Sequence, residues 1–383
     1  MRIRVLSPQL SLSPDAVLGG EVYDREILKG LGGLGVKVRV IVPGAARVIG
    51  HPDITVIRTC LPSGFRWPIS NLVFPGYIKA AWDQEPFDVL RIHSPRFTGL
   101  GCIWATRRWG LDPVIVADHY HLERKPAHRA VEKWVLERSD MVIVPSSFSR
   151  SQLVADTGIN AHNICVVYPG VGPEFGTGPK DTALARRLGL RVCKTVLYLG
   201  SLSQRKDVGT LLRMAHHFLF SLNASGRYYD DFQLVIAGEG PERRRLERLA
   251  NRLGIHPWTV FLGHVAESDK AELYRLCDIF VSASLLEGFG MTTTEAMATG
   301  KPVVVTQSGP ALEVVGDAGI LVGGHSSVWM ARQVNALMSN PGLARELGIR
   351  AQRRVRRMFN WEVAARTTVE AYRETMLKRQ GGD

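Results

Sequence analysis

Short runs rich in valine and isoleucine alternate with longer stretches of helical period along the whole chain, and this alternation restarts once near the middle. A strand covered on both faces needs near-continuous apolar character, and a crossover helix is what lays the next strand parallel to it. The first series reads Ile3–Ser7, Val38–Val42, Thr55–Arg58, Val89–His93, Val114–Ala117 and Met141–Val144. The second reads Thr195–Leu199, Gln233–Ala237, Thr259–Leu262, Ile279–Ser282, Val303–Thr306 and Gly319–Val322. Two such series predict two doubly wound α/β domains, in keeping with 383 residues, more than one hydrophobic core usually organises. The stretch from Tyr168 to Phe175, with two prolines and two glycines, is the expected joint. This sets domains at 1–170 and 171–358, followed by a terminal helix over 359–383. In that helix Trp361, Ala365, Thr368, Tyr372 and Met376 recur at helical spacing.

Composition removes several classes. No apolar run approaches the ~20 residues of a membrane-spanning helix. The start, Met1 to Pro8, puts arginine inside an apolar run and then proline, so it reads as the first strand of a cytoplasmic protein rather than a secretion signal. The five cysteines (Cys60, Cys102, Cys165, Cys193, Cys277) are odd in number and never form C-x-x-C, which fits buried thiols in a reducing compartment. The net charge of +12 is spread along the chain: 20 basic against 15 acidic side chains in residues 1–170, and 28 against 21 in the rest. Anionic small molecules or an anionic membrane surface are the partners this favours, and no motif supports nucleic acid.

Ligands of doubly wound sheets bind beyond the carboxyl ends of the strands. Between the strands Ile279–Ser282 and Val303–Thr306 lies Glu287-Gly288-Phe289-Gly290-Met291, followed by Glu295 and closed by Gly300. Glycines let the backbone approach a ligand, and a helix starting near Gly290 offers bare amides to an anion. Glu295 lies about one turn inside, the distance from a diphosphate to its neighbouring ribose. Glu287 precedes the glycines and falls on the other side of the phosphates. Arg205 and Lys206, between the strand Thr195–Leu199 and the next helix, supply cations for a departing diphosphate. Gly19-Gly20-Glu21 follows the first strand as a second glycine turn, yet no G-x-G-x-x-G follows it, so a nicotinamide role has no support. His93 and His119 end strands and are candidates for sugar hydroxyls or an acceptor. Each feature also has a plainer reading: a solvated acidic loop, an exposed cation pair, an ordinary turn, a structural histidine.

Two further stretches interleave aromatics with cations. They are Phe65-Arg66-Trp67-Pro68 with Phe74, Tyr77, Lys79 and Trp82, and then Trp104, Arg107, Arg108 and Trp109. Such a pattern suits an anionic bilayer surface, and equally a helix with its aromatics inside and its cations outside.

Taken together, these segments resemble glycosyltransferase family 4, retaining enzymes of GT-B fold, over essentially the whole chain. The stretch from Glu287 to Glu295 carries the family's E-x7-E element, and Gly200 to Asp207, Gly238-Glu239-Gly240-Pro241 and Phe359-Asn360-Trp361-Glu362 match further segments. The resemblance implies two Rossmann-like domains facing a cleft, with the C-terminal helix crossing back to the first. It also implies a nucleotide-diphosphate-sugar donor, a hydroxyl acceptor (glycan, lipid-linked or small molecule) and no bound metal or other cofactor. Within it, Lys206 with Arg205 would bind the diphosphate and Glu295 the ribose. Glu287 with the amides of Phe289, Gly290 and Met291 would hold the sugar. Gly19 and Gly20 would approach the donor, and His119 matches a histidine near the reacting centre. Glu287, His119 and Lys206 are then the catalytic set, with His93 and His119 on the acceptor side. One position departs: many members carry arginine where this chain has Ser201. The activity expected is a retaining, cytoplasmic hexosyltransferase, peripheral at the inner membrane face if the aromatic stretches contact lipid. A non-catalytic nucleotide-sugar-binding scaffold and a two-carboxylate glycoside hydrolase are the alternatives.

Overall fold

A computed structural model of the chain describes residues 2–14, 19–62, 69–120, 126–222 and 231–381. It divides into two compact units, Met1–Gly170 with Trp361–Asp383, and Val171–Asn360. No described helix is long and apolar enough to cross a membrane.

The first unit is built on β1 (Arg4–Pro8), β2 (Lys37–Pro43), β3 (Ile54–Thr59), β4 (Val89–Ile92), β5 (Val114–Asp118), β6 (Met141–Val144) and β7 (Ile164–Val166). They form one sheet in the order β3-β2-β1-β4-β5-β6-β7, parallel throughout. The seventh strand is absent from the sequence reading because three residues carry no legible period. Helix Gly19–Gly33 follows β1 and buries Tyr23, Ile27, Leu28 and Leu31. Against it lies the last helix, Trp361–Gln380, which starts two residues after the boundary read from sequence. The approach is close: a Cβ added at Gly30 would stand 2.6 Å from that of Ala365. Phe359 stays with the second unit, its ring packed edge-on against Phe289 at 5.1 Å.

The second unit carries β8 (Lys194–Leu199), β9 (Phe232–Ala237), β10 (Thr259–Gly263), β11 (Ile279–Ser282), β12 (Val303–Thr306) and β13 (Ile320–Val322). Their order is β10-β9-β8-β11-β12-β13, again all parallel. The order reverses between β1 and β4 in one sheet and between β8 and β11 in the other. Connections at such a point run off in opposite directions and leave a crevice beyond the strand ends.

Next to that crevice, where β8 and its other neighbour β9 end, the backbones are in close contact. Gly238, just beyond β9, has φ +128°, and a Cβ there would overlap the carbonyl oxygen of Gly200 at the end of β8. Gly238→Ala is therefore expected to destabilise the protein by about 2–4 kcal/mol, on the scale of backbone strain plus overpacking. A thermal melt should show Tm lowered by roughly 5–15 °C. An unchanged melt would contradict the close approach.

Candidate active site

The loop leaving β11 turns into helix Met291–Ala298 at Gly290. Gly290 has φ +105° and ψ +51°, a conformation side chains resist, and its carbonyl accepts from the amides of Thr293 and Thr294 at 3.0 and 3.2 Å. Glycine thus allows the chain to enter the helix abruptly and leaves the helix start uncovered by a side-chain cap.

Beside it runs the loop leaving β8. A single helical turn, Gln204–Lys206, ends at Asp207 (φ +41°), and helix Val208–His216 follows. The two loops are joined by backbone and side chain alike. Leu285 N–H donates to the Arg205 carbonyl at 2.8 Å, and the Arg205 guanidinium donates to the Leu286 carbonyl at 3.2 Å. Lys206 Nζ donates to Glu287 Oε1, while Arg205 stands 3.7 Å from Glu287 Oε2. Burial pushes the Glu287 carboxyl up, but the Lys206 ammonium and then Arg205 outweigh it and hold the group below the usual carboxylate range. Ser201 is exposed and its carbonyl accepts from Tyr198 Oη at 3.0 Å.

Glu295 meets the opposite environment. It is 6% exposed and accepts a hydrogen bond from Tyr274 Oη at 2.7 Å. Burial drives its carboxyl up to about 7, against the field of Lys270 and the Tyr274 bond. Two carboxylates eight positions apart are thus held in different states: one ionised against cations, one close to its titration midpoint at neutral pH. Ser282, Ser284, Glu287, Gly290, Thr293 and Thr306 line a pocket at this rim. The structure therefore brings Arg205, Lys206, Glu287, Phe289, Gly290, Met291 and Glu295 onto two adjoining loops and one helix of the second unit.

In the first unit, Gly19 and Gly20 open helix Gly19–Gly33, and a Cβ on Gly20 would meet the Tyr120 ring at 3.6 Å. His93 follows β4. Its Nδ1 lies 3.3 Å from Tyr120 Oη, 3.3 Å from Asp24 Oδ1 and 3.5 Å from Asp118 Oδ2. Arg91 is fully buried and pairs with both aspartates. His119 is buried just after β5, with Nδ1 3.1 Å from Glu132 Oε1. Sequence spacing shows no acidic pair placed for a metal, yet Asp24, His93 and Asp118 offer ligand atoms within 4.8 Å of one another. Those aspartates come from a helix and a strand far apart in the chain, and the Arg91 guanidinium already stands against both carboxylates.

Leu18 and the stretch Phe65–Pro68 lie outside the described residues. Of the other aromatics singled out, Phe74 is fully buried and Trp82 packs edge-on against Phe87 at 4.9 Å, as an inward stripe requires. Trp104 is 52% exposed, with Trp109 edge-on at 5.2 Å. Sequence reasoning missed Lys270 and Tyr274 behind Glu295, and the Asp24–Arg91–Asp118 cluster. The only available signal was a polar residue at an inward helical position, Asp24 one residue from Tyr23 and Lys270 four from Tyr274.

Two family models match this chain: Glycosyltransferase Family 4 over residues 17–175 and Glycosyl transferases group 1 over residues 192–354. Among curated proteins, it is 31% identical over 333 residues to a D-inositol 3-phosphate glycosyltransferase of Streptomyces bingchenggensis (strain BCW-1), covering 81% of this chain and 72% of that one. It is also 31% identical over 396 residues to a protein of the same name from Kribbella flavida (strain DSM 17836 / JCM 10339 / NBRC 14399), covering 94% and 92%. Among solved structures, sucrose-phosphate synthase from Thermosynechococcus elongatus aligns with a TM-score of 0.82 at 22% identity, covering 98% of this chain and all of that one. Anabaena Alr3699/HepE in complex with UDP-glucose aligns with a TM-score of 0.78 at 20% identity, covering 97% and 100%. These likenesses establish the GT-B fold class.

Proposed function

This chain belongs to glycosyltransferase family 4 and is a sugar-transferring enzyme, and we propose that it moves a sugar with retention from a nucleoside-diphosphate sugar to a hydroxyl acceptor, without a bound metal. The scaffold and hydrolase alternatives fall with that membership. The observation that carries the proposal is the meeting of Lys206 with Glu287 beside an uncapped helix start, with Glu295 buried one turn further in.

In this reading the diphosphate lies on Lys206, Arg205 and the helix-start amides, where an ammonium and the helix dipole offset the charge that grows as the sugar leaves. Glu295 takes the ribose hydroxyls. Glu287 and the amides of Phe289, Gly290 and Met291 hold the sugar. The leaving phosphate oxygen takes the acceptor's proton while the acceptor oxygen bonds to the anomeric carbon on the same face, so configuration is kept. Gly19 and Gly20 are assigned to the donor, and His93 and His119 to the acceptor. Several relatives are named for D-inositol 3-phosphate, which makes that compound the first acceptor to assay.

A thermal-shift panel of UDP-, GDP- and ADP-sugars tests the donor. A donor at a hundredfold excess over Kd should stabilise the protein by about 2.7 kcal/mol. Glu287→Gln should keep that stabilisation and lose turnover by about 10²–10³-fold. No response to any nucleotide sugar overturns the reading. For the acceptor side, exposed Trp104 with neighbouring Arg107 and Arg108, on a chain of net charge +12, favours peripheral contact with an anionic bilayer. Flotation with anionic liposomes, lost in Trp104→Ser, is the expected result; recovery of all the protein in the lipid-free fraction counts against it.

A further inference from the structure

The site contains two side chains that its proposed chemistry does not use, Lys270 and Tyr274. They lie four positions apart on helix Glu267–Leu276, hence on one face, and both are buried. A lysine in that position is not ordinary core filling, since its ammonium must be compensated. Its Nζ lies 2.6 Å from Glu267 Oε2. The Tyr274 ring is held between Phe280, at 5.8 Å, and Phe175, at 6.0 Å, so its hydroxyl has little freedom to turn away from Glu295. That hydroxyl engages one carboxylate oxygen, Oε2.

We propose that Tyr274 and Lys270 are positioning residues for the ribose-binding carboxylate. Tyr274 fixes one oxygen of Glu295 so that the other accepts from the ribose diol, and Lys270 supplies the positive field behind it. This rests on the assignment of Glu295 to the ribose.

The arrangement couples the grip to pH. Glu267, Lys270 and Tyr274 face Glu295 from their helix, and Glu174 acts on it from the segment before the first helix of the unit. Helix Pro341–Met358, packed on the other side of Met291–Ala298, presents Gly348, Ala351 and Gln352 there, none of them charged. The strand beneath contributes the apolar Phe280, whose ring meets that of Tyr274. Burial has brought Glu295 to about 7, and the ionised form is the better acceptor for hydroxyls. Ribonucleotide affinity therefore weakens as pH falls through neutrality. Tyr274→Phe removes a bond that favours the ionised form, and Lys270→Gln removes the opposite charge, so each moves the midpoint to higher pH.

Calorimetry from pH 5.5 to 8.5 with uridine, guanosine and adenosine diphosphates and their 2′,3′-dideoxy counterparts tests this. For the base that binds, the ribose form should be favoured about tenfold or more at pH 8, the worth of a hydrogen bond to a charged group, and less in acid. Tyr274→Phe should cut that preference about threefold or more and raise the pH midpoint, with Tm checked in parallel. Lys270→Gln should raise the midpoint independently. A wild-type preference and midpoint in both variants overturns the positioning role. Glu295→Ala separates the two levels. If it erases the preference while the other variants do not alter it, only the positioning role falls. If the preference survives in Glu295→Ala, the ribose assignment itself falls.

Discussion

Lys206→Met is expected to lower kcat/KM for transfer by about 10²–10³-fold, the loss seen when a preorganised charge-stabilising group is removed. Two effects act together. The diphosphate loses an ammonium that is largely shielded from water, and Glu287 loses the partner that holds it ionised. Arg205 remains, but its distance of 3.7 Å from Glu287 and its bond to the Leu286 carbonyl leave it a weaker substitute. The pH profile gives the sharper check. In the parent protein, Glu287 sits below the usual carboxylate range despite its burial, so its ionised form persists where a free carboxylate would already protonate and is lost only in stronger acid. In Lys206→Met burial is opposed only by Arg205 and a hydrogen bond from Ser284, and the acidic limb of activity should move to higher pH. A variant with parental kcat/KM and an unmoved acidic limb would remove Lys206 from the chemistry. The same sign rule, applied to stability, runs the other way for Glu295. Its raised titration means a stabilising contribution present in acid and lost as pH rises through about 7.

Arg91→Leu should be the most destabilising single change in the first unit. Arg91 has 0% exposure, and Asp24 and Asp118, which it pairs with, have 1% each. Removing one partner of a buried ionic cluster strands the others without water, at a cost of about 3–5 kcal/mol. For a unit of this size that lowers Tm by roughly 6–20 °C. Packing alone would predict a milder effect, since leucine fills part of the volume. The triple variant Arg91→Leu, Asp24→Asn, Asp118→Asn discriminates: it should recover much of the loss, because neutral groups of similar shape carry no stranded charge. Equal melting of the single and triple variants would mean the cluster is not an ionic unit.

The strands were legible because a strand buried on both faces must be apolar residue by residue, and four residues such as Val303–Thr306 suffice to show it. The carboxylates of the second unit were legible for a different reason. Glu287, Gly290 and Glu295 occupy one continuous loop and helix, so their spacing along the chain is nearly their spacing in space. Lys206 was found by its place after a strand, although its bond to Glu287 spans 81 positions. The short β7 was not legible, nor were the residues that tune each site. Arg91 meets Asp24 across 67 positions, and Tyr274 meets Glu295 across 21, through helices whose polar residues look solvent-facing when read one at a time.

The amino-acid order alone determined the class of fold, the restart that makes two sheets, and which loop would carry phosphate-binding glycines and carboxylates. These follow from local rules of period, turn and helix start that need no distant partner. Folding alone decided the protonation tendencies of Glu287 and Glu295 and the burial of Arg91 between two aspartates. Charge in a low-dielectric interior is governed by what stands within a few ångströms, and only the packing of remote segments sets that distance.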